Sequence, residues 1–233
     1  MNHQVTINFE EFPNIGIVHC KVPDDILKVL YAHLENIEKT NFKDQEDNRK
    51  NLLGHIDKEF KMLEYIEVIE PFLLTLADEY DRQYNYIQSV ANVEGKFKLS
   101  LSHLWVNFQQ KHEFNPPHTH TGVLSFVIWM KIPYDIKEEE EVFPINSAGA
   151  PRTSKFTFHY INTLGKIGHW VLPVDESFEG VICMFPSELA HSVNPFYTSD
   201  DYRVSISGNL KIVVVPDNEQ IDNTHYYPPN RAK

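Results

Sequence analysis

Twelve histidines occur in this chain, and three of them stand where they could share a metal ion. In PPHTHTG, His118 and His120 are two residues apart, just before the strand-like run VLSFVIWMKI. Residues two apart on extended chain face the same way, so both imidazoles can reach one cation. His191, in MFPSELAHSVNP, lies 71 residues further on (191 − 120), at the edge of another strand-like run. Twelve residues beyond it, the segment YRVSISGN alternates Arg203, Ser205 and Ser207. On a strand these three share one face. A guanidinium suits a planar, two-point hold on a carboxylate, and Ser205 offers one more hydrogen bond. An arginine inside a β-structure is costly unless paired, so an inward Arg203 predicts an anionic ligand or an acidic protein partner. Each feature also has a plain reading. The histidine pair fits an exposed loop, His191 a satisfied core residue, Arg203 a surface ion pair and Ser207 an ordinary polar-face residue.

The elements that must position these groups divide by texture. Residues 22–93 read mostly helical, with Ile26, Leu27, Leu30, Tyr31 and Leu34 at helical spacing behind a start at Pro23, Asp24 and Asp25. A second helical stretch covers EPFLLTLADEYDRQYNYIQSV, and the polar run NFKDQEDNRKNLLGH between the two reads as a loop. From residue 96 onward, short runs rich in Val, Ile, Phe, Tyr and Trp alternate with turn residues. Strands are expected near 97–109, 122–132, 155–162, 168–173, 180–185, 190–195 and 202–215, with a hairpin turning near Gly165. Helices followed by many short strands argue for an α+β chain: a double-stranded β-helix (jelly-roll, cupin-like) core with N-terminal helices packed on one sheet. We expect one domain over 1–233, with helical support to residue 95, the jelly-roll over 96–215 and an irregular tail over 216–233. Trp105, Trp129 and Trp170 are expected in the core, Glu138–Glu141 in a solvated loop or frayed turn, and Cys183 as a buried thiol.

Taken together, HxH at 118–120, FPSELAHSVNP and YRVSISGN resemble the iron(II)- and 2-oxoglutarate-dependent oxygenases. The nearest branch is the small prolyl-hydroxylase-like group of marine bacteria and phages. The resemblance spans residues 100–212, about half the chain. It implies that His118, His120 and His191 form the catalytic, iron-binding set and that Arg203 clasps the far carboxylate of 2-oxoglutarate with help from Ser205. It also places Asn107, in LWVNF, at a cosubstrate contact. The implied reaction oxidises a peptide or small-molecule substrate with O2, typically by hydroxylation, and releases succinate and CO2. His120 departs from most of that superfamily, which carries a carboxylate there to complete a two-histidine facial triad. Either three imidazoles bind the iron, or Glu113 or a water completes the shell.

Two other classes fit the same residues. One is a three-histidine metal dioxygenase that does not use 2-oxoglutarate, with Arg203 on a substrate carboxylate. The other is a non-catalytic jelly-roll binding domain. A zinc hydrolase is weaker, because no general base stands beside the histidines. Composition narrows the field further. The formal net charge of −12, from 21 basic and 33 acidic residues, argues against nucleic acid as a partner. Two cysteines, no apolar run of membrane-spanning length and a start without signal-peptide character predict a soluble cytoplasmic protein, in the host cytoplasm if phage-encoded. No Rossmann or Walker glycine pattern supports nucleotide binding.

Overall fold

The computed structural model describes residues 14–93, 95–142, 152–216 and 225–227. Strand β1 (Val18–Lys21) leads into helix α1 (Asp24–Lys39), strand β2 (Lys58–Lys61) and helices α2 (Ile66–Tyr84) and α3 (Tyr86–Val90). Three strands follow, β3 (Phe97–Gln109), β4 (Asn115–His118) and β5 (Leu124–Lys131), and then a short helix α4 (Ile136–Glu141). The remaining strands are β6 (Phe156–Ile161), β7 (Ile167–Leu172), β8 (Val181–Pro186), β9 (His191–Val193), β10 (Arg203–Val214) and β11 (Tyr226–Tyr227).

All strand pairings are antiparallel and fall into two sheets. The larger runs β1-β8-β5-β10-β3-β11, with β2 also paired to β3; the smaller runs β4-β9-β6-β7. This is the expected α+β jelly-roll.

The period-2 alternation of side chains explains why the larger sheet has two different faces. On β5, Phe126, Ile128 and Met130 join the apolar cluster made with the helices, while Val127 and Trp129 join the cluster between the sheets. On β8, Ile182 and Met184 point to the helices, and Cys183 and Phe185 point between the sheets. The helices answer with their own stripes. Leu27, Leu30, Leu34 and Ile37 are buried on α1, and Ile69, Leu73, Leu76, Ala77 and Tyr80 on α2. Acidic Asp24 and Asp25 in the first turn of α1 and Lys39 in its last suit the helix dipole. A bulge near Ser102, where the β3–β10 register shifts between Asn209 and Leu210, resets the alternation. Leu101 and Leu104 thus both face the helices.

Gly208, in the middle of β10, is required by close approach. A Cβ there would lie 2.5 Å from the His103 carbonyl oxygen and 2.7 Å from the Phe126 ring. We therefore expect Gly208→Ala to destabilise the fold by about 1–3 kcal/mol, through overpacking of a sheet that cannot yield. Urea denaturation checks this, and a wild-type midpoint would contradict it.

Several sequence expectations need correction. The second helical stretch is broken at Asn85, which adopts a left-handed φ of 49° and separates α2 from α3. Strand β2 lies within the region read as helical. Strand β4 holds two prolines and was not foreseen. Glu138–Glu141 is neither loop nor frayed turn but belongs to α4, capped by the Asp135 side chain. Its Glu139 is buried and accepts from the backbone of Tyr197 and Thr198 and from the Thr198 hydroxyl. Trp170 is 59% exposed on β7 rather than in the core. The expected irregular tail contributes β11 at residues 226–227; residues 217–224 and 228–233 of that tail lie outside the described residues, as does the start MNHQVTINFEEF. No described helix is long and apolar enough to cross a membrane.

Candidate metal and cosubstrate site

The smaller sheet brings the histidines together. His118 ends β4 and His191 begins β9, and the two are direct partners in the ladder. His120 follows in the loop, where its backbone N–H donates to the Ser187 carbonyl at 2.9 Å. That loop is held from below by a buried polar group in which Ser125 Oγ lies 2.9 Å from Ser187 Oγ and 2.8 Å from Asn209 Oδ1. One ring nitrogen from each of His118, His120 and His191 lies within 4.8 Å of the others. Ring centroids are 4.9 Å apart for 118–120, 4.3 Å for 118–191 and 5.1 Å for 120–191.

Backbone carbonyls decide which nitrogens face inward. His118 Nδ1 is 2.7 Å from the Pro116 carbonyl, and His191 Nδ1 is 2.9 Å from the Leu189 carbonyl. A carbonyl only accepts, so each Nδ1 carries the proton and each Nε2 presents a lone pair. Aromatic packing fixes the rings: Phe156, Phe158 and Phe185 surround His191, and Trp105 packs on His120 at 5.5 Å.

The same burial keeps these imidazoles neutral. Desolvation holds His118 below its usual range against the opposing Pro116 hydrogen bond. Desolvation, with His118 adding repulsion, pulls His120 down to about 4, and His191 is lowered well below normal by burial and by His118. Neutral imidazoles are the metal-binding form. In the unfolded chain each has a pKa near 6.5. Below that value the unfolded state binds protons that the folded state refuses. The metal-free protein should therefore lose stability as pH falls from about 6.5 to about 4, with His120 alone worth up to about 3 kcal/mol. Chemical denaturation across that range tests this, and a flat profile would refute it.

Arg203 starts β10 on the same internal face and is buried. Its Nε and Nη2 both donate to Gln109 Oε1, at 3.0 and 2.6 Å. Nη1 donates to the Tyr134 hydroxyl (2.9 Å) and the Ser154 carbonyl (2.6 Å), and Nη2 also donates to the Asn194 carbonyl (2.8 Å). Its guanidinium carbon sits over the Tyr134 and Phe196 rings. Every partner is neutral. Among the described residues no carboxylate stands within ion-pairing distance, so the acidic protein partner that was one of two expectations is not found. A buried cation without a counter-charge is half of an anion site.

One cavity of about 680 Å³ joins these groups. The three histidines, Arg203, Ser205, Ser207 and Asn107 all line it. Asn107 is the register partner of Ser205 on β3. With its amide turned to suit both neighbours, Asn107 donates to Glu59 Oε2 (2.8 Å) and accepts from Trp105 Nε1 (3.1 Å). Glu113, the alternative shell residue, points elsewhere, accepting from the backbone N–H groups of Asp57 and Gln110. His112 packs on Tyr197 and does not line the cavity. Cys183 is buried, and desolvation pushes its thiol up, as suits an inert core residue.

Sequence reasoning missed one wall. Asn48, Lys50, Leu52, Leu53, Ile56 and Glu59, read as loop or helix, line the cavity. The four-residue strand KEFK is too short to announce itself. Two backbone hydrogen bonds between His55 and Phe114 pin the preceding segment over the histidines.

The donor set suits a divalent transition metal. Imidazole nitrogens favour Fe, Zn, Cu or Ni over Mg or Ca, and three on one side leave other positions open. Asn115 Oδ1 adds a buried acceptor without a partner, and its Nδ2 lies 3.3 Å from His118 Nε2.

Comparison with known proteins agrees with this geometry. Residues 103–209 match the family model described as "Putative 2OG-Fe(II) oxygenase". That segment of the chain is similar to the 2OG-Fe(II) oxygenases, enzymes whose metal is iron(II) and whose cosubstrates are 2-oxoglutarate and O2. EvdMO1 is similar in structure, with a TM-score of 0.50 and 13% identity over 86% of this chain and 48% of that one. A prolyl-4-hydroxylase from Pseudomonas putida gives 0.47 and 12%, covering 84% of this chain and 92% of that one. A Trichoplax adhaerens prolyl hydroxylase, solved with a hypoxia inducible factor peptide, gives 0.49 and 11%, covering 84% and 82%. At 13% identity the likeness to EvdMO1 speaks for the fold alone. No curated protein matches the chain.

Proposed function

We propose that this chain is a hydroxylase of a peptide or small-molecule substrate, with succinate and CO2 as coproducts. The observation that carries the reading is a single cavity lined by three inward imidazoles and by a buried guanidinium without a counter-charge. His118, His120 and His191 would hold iron(II) through their free ring nitrogens. Bound there, the metal supplies the activation of O2 and the coupled oxidative decarboxylation of 2-oxoglutarate. Arg203 and Ser205 orient the cosubstrate by its far carboxylate, which takes over donors now spent on Gln109. Asn107 shapes the wall beside Ser205. Phe156, Phe158, Phe185 and Trp105 exclude water around the imidazoles.

A second reading, a three-histidine dioxygenase independent of 2-oxoglutarate, draws support from the neutral acceptors that already engage every Arg203 donor. One assay separates them. With iron(II), O2 and 2-oxoglutarate the purified protein should form succinate, even slowly in the absence of its own substrate, and a chelator should stop it. Iron-dependent oxygen consumption without succinate would replace the first reading with the second.

A further inference from the structure

The cavity wall built by β2 has no part in holding metal or cosubstrate. At its centre is Glu59, only 3% exposed. Strand register sets Glu59, Asn107, Ser205 and Trp129 side by side across β2, β3, β10 and β5, and all four line the cavity. Glu59 Oε1 accepts from Asn48 Nδ2 at 2.7 Å and Oε2 from Asn107 Nδ2 at 2.8 Å. A carboxylate offers about four acceptor sites, so these two amides orient the group without saturating it.

Among the described residues no cation stands within ion-pairing distance of this carboxylate, although Lys50 and Lys61 line the same cavity. Lys61 pairs with Glu46, Arg49 with Asp47 and Asp57, and Lys58 with Asp57 and the Tyr202 hydroxyl. Burial accordingly pushes the Glu59 carboxyl up to about 7. A buried carboxylate oriented by amides and lacking a counter-charge is the converse of Arg203. The two stand two strands and one side-chain row apart, or about 12 Å by sheet geometry. The cavity thus has a cationic pole and an anionic pole, with Trp105 and His120 alongside the latter. Exposed Leu53 and Leu63 border the opening on the Glu59 side.

We propose that Glu59 determines specificity by binding a cationic substrate group, a guanidinium or primary amine borne on an apolar stem. It rests on the oxygenase reading only in giving the Arg203 pole to the cosubstrate. A planar guanidinium can take the two open acceptor sites of the carboxylate together. Asn48 and Asn107 act as positioning residues, and the acidic character of the chain, net −12, draws a cation towards the opening.

Butylguanidinium and its neutral counterpart butylurea are suitable probes, titrated calorimetrically into the purified protein with and without iron(II) and 2-oxoglutarate under anaerobic conditions. Wild type should bind the guanidinium at least about tenfold more tightly than the urea. Glu59→Gln should erase that preference while leaving 2-oxoglutarate affinity unchanged. No preference in wild type overturns the proposal without recourse to any variant, and so does a preference that survives in folded Glu59→Gln. Failure of the oxygenase reading shows separately, as wild-type protein that binds neither iron(II) nor 2-oxoglutarate.

Discussion

Replacing His191 with alanine should lower iron(II) affinity by more than about a hundredfold. Loss of a group that merely supports a ligand already costs about 10- to 100-fold, and His191 is proposed as a ligand itself. The substitution has a second consequence, because His191 is only 3% exposed and packs between Phe156, Phe158 and Phe185. The vacated space should cost about 2–4 kcal/mol of stability. His120→Ala separates the two effects. Its ring is less buried and lies in a loop fixed through its backbone, so it should lose metal affinity with a smaller loss of stability. His120→Asp should retain iron, since it restores the carboxylate found at this position in most of the superfamily. Equilibrium dialysis against iron(II) under anaerobic conditions, with denaturation curves for each variant, makes the comparison. Wild-type iron affinity in a folded His191→Ala protein would remove the three-histidine site.

Why these residues could be seen in the sequence follows from how local their signals are. Strand β3 was legible to its ends, 97–109, because it is rich in apolar and aromatic residues and its burial alternates on either side of the bulge near Ser102. Strands β5 and β10 were legible to within one or two residues as runs rich in Val, Ile and aromatic residues between turn residues, and α1 from its apolar spacing and its Pro23–Asp25 start. The Arg203–Ser205 pair lies on such a strand, so its shared direction could be read from period, whereas His118 ends an unforeseen strand, His120 lies in the loop after it and His191 joins them only through the ladder. What escaped depends on partners remote in sequence. Strand β4 contains Pro116 and Pro117, which argue against a ladder, yet its first and last residues pair with β9. Strand β2 forms because β3 offers it an edge. Glu139 looks like part of a solvated acidic run and is buried because the backbone at 197–198, some sixty residues on, supplies donors. Trp170 is exposed because β7 ends the smaller sheet among the described residues. Glu59 was invisible for both reasons at once, being one acid among many on a strand that only tertiary pairing creates.

Arg203 is where the proposed function meets the largest local network, and substituting it should show two separable losses. Arg203→Ala leaves Gln109 Oε1 and the Asn194 carbonyl without their donors in a buried setting, while the Tyr134 hydroxyl and the Ser154 carbonyl keep the hydrogen bond they make to each other. Each orphaned group costs about 1–3 kcal/mol when water cannot reach it, so the two together should cost about 2–6 kcal/mol. That loss alone would mark a structural arginine. The distinguishing measurement is 2-oxoglutarate affinity in variants that remain folded. Arg203→Lys keeps the charge and some donors but not the fork, and should bind 2-oxoglutarate at least about tenfold more weakly than wild type. Gln109→Ala should do the reverse. It frees Nε and Nη2 for the incoming carboxylate, so affinity should hold or rise although stability falls. Iron(II) affinity should be unchanged in both, because neither side chain belongs to the histidine cluster. A purely structural arginine predicts instead that both substitutions lower stability and leave 2-oxoglutarate binding where it was, and that result would move the anion site away from β10.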